Sequence, residues 1–338
     1  MAGEDVSRIN MENFIVSARK YRPDSFRTVV AQDAITSTLK TAIRTRQLAH
    51  SYLFCGPRGV GKTTCARIFA KTINCSNLTP ENEACNTCES CTAFTANRSY
   101  NIHELDAASN NSVEDIRNLI DQVRIPPQIG HYSVYIIDEV HMLSANAFNA
   151  FLKTLEEPPR HAIFILATTE KHKILPTILS RCQIFDFNRI RIEDIAAHLR
   201  FVATEEGVTA EPSALNIIAQ KADGAMRDAL SIFDQLVSFS GREMTYQDVI
   251  THLNVLDYDY YFRLVDAFLK NEVTQALLIF NEVLNKGFEG QHFVSGLSRH
   301  FRDLMVSRDP VTVQLLEVSG EIRERYKAQA QAASHEFL

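Results

Sequence analysis

The chain has 338 residues, of which 45% are hydrophobic and 22% charged, and it carries a formal net charge of −6. That balance suits a folded protein of about two or three domains and argues against one that coats nucleic acid by bulk electrostatics, so any such contact must be local. No apolar run approaches the ~20 residues of a spanning helix, and the N-terminus lacks the basic, apolar and small-residue regions of a leader, so the expected location is the cytoplasm with no membrane contact.

Residues 1–17 begin as a polar, patternless stretch and are expected to be a disordered or flexible lead-in. An amphipathic helix is predicted over 31–48, followed by an apolar strand over 50–55. The next residues, Gly56, Pro57, Arg58, Gly59, Val60, Gly61, Lys62 and Thr63, fit G-x-x-x-x-G-K-[ST], and a helical pattern runs out from Thr64. Glycines let the backbone wrap closely around phosphates, and the loop's amides converge with the positive end of the following helix. Lys62 would supply a point charge to the β- and γ-phosphates, and the Thr63 hydroxyl would ligate Mg²⁺. A chance glycine-rich turn is the alternative, and the strand and helix flanks stand against it.

Seven cysteines follow two patterns. Cys55, Cys65 and Cys182 occur singly in apolar or motif surroundings, whereas Cys75, Cys85, Cys88 and Cys91 form C-x9-C-x2-C-x2-C. Four thiolates close a tetrahedral site, and the polar stretch 77–86 has no apolar pattern of its own to hold it. A structural Zn²⁺ is expected there, with an iron–sulfur cluster or free thiols as the other readings.

Further strands are predicted over 102–106, 134–138, 162–168 and 183–187, with helices over 112–123 and 144–156 between them. Alternation of this kind implies an α/β fold with a parallel, doubly wound, five-stranded sheet whose ligand site lies beyond the strands' carboxyl ends. The strand over 134–138 ends in Asp138-Glu139. Two adjacent acids closing an apolar run suit a metal and a water: Asp138 would hold Mg²⁺ and Glu139 would polarise the water that attacks the terminal phosphate, although solvated strand-end acids would read the same way. Thr168-Thr169 closes another strand, where its hydroxyls would bond that water or the γ-phosphate, or serve as turn chemistry. Arg181 and Arg227 are solvated charges on the plain reading and phosphoryl-stabilising groups on the other. Beyond residue 192 the strand signals vanish and helices alone are predicted, over 192–205, 212–222, 225–239, 246–253, 260–269, 273–285 and 290–306. The chain ends in a helix-forming run with no stop signal, which reads as a truncation.

Taken together, these residues resemble the clamp-loader branch of the AAA+ ATPases, and within it the gamma/tau family of the bacterial DNA polymerase III holoenzyme. The likeness runs from Ala18-Arg19-Lys20-Tyr21-Arg22-Pro23 through Ser180-Arg181-Cys182 to Arg227. It is densest in Asp106-Ala107-Ala108-Ser109, Asp138-Glu139-Val140-His141-Met142-Leu143 and Leu152-Lys153-Thr154-Leu155-Glu156-Glu157-Pro158-Pro159, and the cysteine quartet is its other mark. The resemblance implies an ATPase sheet domain over 18–190 with its zinc module at 75–91, an all-α lid over 191–255 and an all-α collar over 256–338, too short to be complete. It implies Arg181 as a finger reaching a neighbouring subunit's ATP, Arg227 as a lid sensor on its own nucleotide, and Thr169 as the sensor at the strand end. Tyr21, Arg22, Pro23 and Val30 would lie near the adenine, or form a structural strap.

As partners the resemblance implies delta and delta-prime subunits and further copies of the chain in a ring or spiral pentamer, together with the sliding clamp and primer–template DNA. DNA would be followed by its backbone, through a helix start at 109–112 with Arg117 and Arg124 nearby. Polymerase and helicase contacts belong to a tail absent from this chain, which has no polymerase site. Two other readings compete. A non-catalytic stator of the same complex can lose its lysine or acids, whereas Lys62, Thr63, Asp138 and Glu139 are all present. A helicase motor of the same superfamily fits the cysteine quartet and the Ser180-Arg181-Cys182 element less well.

Overall fold

Residues 15–127, 130–316, 318 and 320–338 are described by a computed structural model of the chain. The lead-in expected to be flexible falls mostly before residue 15, outside the described residues. The chain divides into two compact units, Met1–Arg191 with Gly224–Asp228, and Ile192–Asp223 with Ala229–Leu338.

In the first unit five apolar runs pair as one parallel sheet: β1 (Ser51–Cys55), β2 (Ile102–Asp106), β3 (Ser133–Asp138), β4 (Ala162–Thr168) and β5 (Gln183–Asp186). Their order is β2-β3-β4-β1-β5, so β4 separates β1 from β3 and the chain leaves β1 for the far edge before returning. The helices are α1 (Ser17–Lys20) and α2 (Asp33–Thr45) before β1, α3 (Lys62–Ile73) and α4 (Glu89–Thr95) after it, then α5 (Val113–Val123), α6 (Ala145–Glu156) and α7 (Pro176–Leu179) in the successive crossovers.

Alternation along each strand decides which core a side chain enters. Tyr52, Phe54, Val134, Ile136 and Ile165 pack with Leu39, Ile43 and Phe69 of α2 and α3. Their neighbours Leu53, Tyr135, Ile137 and Phe164 pack with Ile116 and Leu119 of α5 and with Phe148 and Phe151 of α6. Because both faces are covered, the three central strands read as continuous apolar runs. The Phe151 ring meets Phe164 edge-on at 5.2 Å, and truncating such a buried ring costs about 3–5 kcal/mol. Helix starts are fixed by polar side chains: Ser112 accepts from the Asp115 amide while Asp115 accepts from the Ser112 amide, a reciprocal cap that starts α5.

The second unit is helical: α8 (Ile192–Glu205), α9 (Pro212–Lys221), most of α10 (Met226–Ser240), α11 (Tyr246–His252), α12 (Tyr258–Leu269), α13 (Val273–Asn285), α14 (Gly290–Ser307) and α15 (Gly320–Ala332). It departs from the helices-only expectation at one point. Thr209–Ala210 (β6) and Glu243–Met244 (β7) form a parallel pair too short to leave an alternating pattern in the sequence. Towards its end, α14 and α15 meet at buried His300, which lies 2.9 Å from both the Tyr326 hydroxyl and the Gln329 amide oxygen. Burial pushes the His300 pKa down to about 4. The ring is therefore neutral at pH 7, donating from Nε2 to Gln329 and accepting at Nδ1 from Tyr326. Among the described residues no helix is long and apolar enough to cross a membrane.

Candidate nucleotide site

β1 delivers the chain into the loop 56–61 at the carboxyl edge of the sheet. Gly56 has φ +147°, and a Cβ there would lie 2.5 Å from the Phe187 carbonyl oxygen, so no side chain fits. Gly59 has φ +78°, with Ala225 Cβ only 2.9 Å from where its own would stand. That approach seats the segment 224–228 on the loop, where the Arg227 amide donates to the Gly59 carbonyl over 3.4 Å. α3 begins at Lys62, so the unpaired amides of its first turn belong to the same corner as the loop's backbone.

Lys62 is buried, and its Nζ donates to the Gly56 and Pro57 carbonyls at 2.8 Å each. Burial pulls its pKa below the ordinary ammonium value, opposed by the charges of Glu139 and Asp138. One residue on, the Thr63 hydroxyl donates to Asp138 Oδ2 over 2.7 Å, joining the start of α3 to the end of β3 across the intervening β4. In the rest of the predicted loop, Val60 is buried, Arg58 exposed, and Pro57, Gly61 and Thr64 half-buried.

Glu139 follows in a left-handed conformation, φ +47°, which a non-glycine residue holds only under restraint. Its amide donates to Asp138 Oδ1 at 3.0 Å. Its Oε2 accepts from both the Thr169 amide, at 3.2 Å, and the Thr169 hydroxyl, at 2.9 Å. The threonine predicted to sense a terminal phosphate thus holds the acid predicted to polarise the water. Lys62, Thr63, Asp138, Glu139 and Thr169 come together from α3, β3 and the end of β4.

The arginines occupy different places. Arg22 turns towards α3, its Nε donating to Thr64 Oγ1 over 3.2 Å, among the charges of Arg67, Glu104, Arg227 and Asp138. Tyr21, Pro23 and Val30 are half-buried in the strap that precedes α2, and Gln32 ties that strap to the Asn188 carbonyl at 2.9 Å, one residue past Phe187. Arg181 bonds the Thr177 carbonyl at 2.6 Å and pairs with Glu156 at 2.8 Å. It precedes β5, whereas Phe187, which meets Gly56, follows it. The four residues of β5 thus lie between Arg181 and the end of the strand that meets the loop. Of the residues proposed to follow DNA, Ser109 bonds Asp106 and Ser112 caps α5, while Arg124 makes an exposed pair with Asp121 at 3.5 Å.

Cys75, Cys85, Cys88 and Cys91 have their sulfurs all within 4.8 Å of one another, and Cys75 lies 3.9 Å from Cys88. Tetrahedral zinc at ~2.3 Å from each thiolate sets sulfur–sulfur edges of about 3.8 Å, which this cluster fits. Hydrogen bonds from Thr87 draw the Cys85 pKa down to about 5, whereas burial pushes Cys91 upward. The connecting loop is pinned by Glu83, whose carboxylate accepts from the Phe26 amide at 2.9 Å and the Arg27 amide at 3.2 Å and pairs with Lys40 at 2.6 Å. Buried Lys71 of α3 spans the same gap, donating to the Asp24 carbonyl and to Asn86.

Comparison with known proteins identifies this architecture. A family model for the DNA polymerase III delta subunit matches residues 31–191, and one for the ATPase lid domain of a DNA polymerase III clamp loader subunit matches 194–242. The DNA polymerase III subunit tau of Bacillus subtilis is 44% identical over 319 residues, covering 92% of this chain and 56% of that protein. The DNA polymerase III subunit gamma of Buchnera aphidicola is 34% identical over 320 residues, covering 94% of this chain and 87% of its own. The chain belongs to the DNA polymerase III gamma/tau family. It spans about half the length of the tau relatives from Bacillus subtilis and Escherichia coli, 56% and 49% respectively. The Thermotoga maritima RuvB Holliday junction branch migration motor has the same fold, with a TM-score of 0.52 at 19% identity over 75% of this chain and 80% of that one. At that identity the likeness concerns the fold alone.

Sequence reasoning about this gamma/tau chain missed three groups that build the site. His141 was part of a recognised motif yet carried no role, and nothing in its spacing points to Glu170 or Thr168. Glu83 and Lys71 act on residues 57 and 47 positions away, a separation that leaves no local signal.

Proposed function

We propose that this chain is the ATP-hydrolysing motor subunit of a bacterial clamp loader, acting in the cytoplasm through an ATPase domain over 18–190, a lid over 191–255 and a collar over 256–338. The observation that carries this reading is the Thr63–Asp138 bond of 2.7 Å, with Lys62 and Glu139 on either side of it. A triphosphate would lie along the amides of 56–64, with Lys62 against its terminal phosphates and Glu139 accepting a proton from the attacking water. Thr63 and Asp138 would hold Mg²⁺, which supplies positive charge to the phosphate oxygens. Thr169 donates its single hydroxyl proton to Glu139 Oε2, and that proton would turn to the terminal phosphate when nucleotide binds. Tyr21, Pro23 and Val30 would border the adenine. Cys75, Cys85, Cys88 and Cys91 would hold a structural Zn²⁺ with no open position for catalysis.

Arg227 sits on the loop 56–61 of its own chain, in keeping with a sensor in cis, and the place of Arg181 ahead of β5, paired with Glu156, supports a role in trans. Nucleotide bound at one chain would then draw a neighbouring chain's Arg181 towards it, a differential contact that biases how copies assemble with delta and delta-prime subunits. The assembled spiral would open the sliding clamp and grip primer–template DNA, and hydrolysis would release both. Clamp loading onto primed circular DNA with the partner subunits tests this reading. ATP should support loading and release, and a non-hydrolysable analogue should support clamp binding without release. Arg181→Ala should bind ATP normally as an isolated chain and fail only in the assembly. Loss of ATP affinity by the isolated variant would refute the trans assignment.

A further inference from the structure

We propose that His141 is a positioning residue for the hydrolytic step, setting the orientation of the Glu139 carboxylate. This inference rests on the reading of Glu139 as the group that polarises the attacking water. His141 lies in the short 3-10 turn Val140–Met142 that follows the acids, and its side chain is only 5% exposed. Nδ1 lies 3.0 Å from Thr168 Oγ1 and 3.4 Å from Glu139 Oε2, and Nε2 lies 3.3 Å from Glu170 Oε1. A ring buried only to fill space would face apolar atoms. This one faces two carboxylates and a hydroxyl at the end of β4. Both Thr169 donors bond Glu139 Oε2, and His141 Nδ1, hydrogen-bonded to Thr168 Oγ1, stands 3.4 Å from that same oxygen, which leaves Oε1 as the oxygen for a water. Glu139 needs such restraint because its left-handed backbone and rotatable side chain do not fix the carboxylate by themselves.

Isosteric variants in the assembled complex with clamp and primed DNA separate positioning from packing. His141→Phe keeps the ring and removes both nitrogens, and kcat should fall about tenfold, less than the ~10²–10⁴-fold lost with a proton-transfer group itself, while the equilibrium dissociation constant for a fluorescent ATP analogue changes less than about twofold. His141→Asn, whose amide overlays Nδ1, should restore most of kcat, and His141→Gln, whose amide overlays Nε2, should not. In a Glu139→Gln background, His141→Phe should slow hydrolysis no further, because the two residues act as one unit. An unchanged kcat in His141→Phe overturns the proposal. So does an equal additional loss in the Glu139→Gln background, or an Asn variant no better than Phe when all three melt at the same lowered temperature. A wild-type chain that binds no ATP overturns the underlying reading as well, whereas active wild type with an indifferent His141→Phe overturns this inference alone.

Discussion

With Glu139 as the proposed water-polarising group, Glu139→Gln should separate holding the nucleotide from cleaving it. The substitution keeps the side chain's size and leaves a carbonyl oxygen to accept from the Thr169 amide and hydroxyl, so the group stays near its place. What it removes is the negative charge. Losing a general base costs about 10²–10⁴-fold in rate, or about 3–5 kcal/mol of barrier at 1.36 kcal/mol per decade. Binding should move the other way. Lys62, Thr63 and Asp138 are untouched, and withdrawing an anion from the neighbourhood of a triphosphate favours binding by an amount on the order of 1 kcal/mol. The two quantities are read by equilibrium titration with a fluorescent ATP analogue and by single-turnover hydrolysis in the complex with partner subunits and primed DNA. The expected variant binds at least as tightly as wild type and turns over at least a hundredfold more slowly. Matched losses of affinity and rate would show that Glu139 helps to hold the nucleotide, and hydrolysis within about threefold of wild type would remove it from the chemistry.

Glu83→Ala strands the Phe26 and Arg27 amides and the Lys40 ammonium together. At about 1–3 kcal/mol for a stranded buried group, discounted for the partial exposure of Lys40, the expected loss is about 2–4 kcal/mol. The sheet unit's thermal midpoint should fall by several degrees, with Glu83→Gln falling between the two, and an unchanged midpoint would show that the loop is held elsewhere. Metal analysis of the purified chain should find about one zinc per chain, lost in Cys88→Ser, with new protease cleavage confined to residues 75–91. A zinc-free chain with the wild-type digestion pattern would refute a structural metal.

Features written in adjacent residues were legible in the sequence. The glycine-rich loop 56–61, the acids at the end of β3 and the buried strands follow from spacing and apolar runs, and the loop and the acids both lie at the carboxyl ends of their strands. Boundaries were less legible where the deciding conformation is unusual for its residue: the helix predicted over 31–48 stops at Thr45 because Arg46 adopts φ +55°, a stop usually marked by glycine. The β6–β7 pair was invisible because two residues carry no period. Contacts through space were the hardest to foresee. Arg22 meets Thr64 of α3 from a strap that Glu83 and Lys71 hold from far along the chain, a contact with no local signal. His141 could be placed in a motif, but only the fold brings Thr168 and Glu170 to its two nitrogens.

The cysteine module and the strap are braced against each other. Glu83 reaches from between the first two thiols to grip the strap at Phe26 and Arg27, and Lys71 clasps both sides from beneath. A relative that shed its four thiols would forfeit more than a candidate metal site. It would need some other buttress for the segment that leads from Tyr21 towards the start of α3, and a survey of chains with broken quartets should find new apolar or charged ties at the positions equivalent to Glu83 and Lys71.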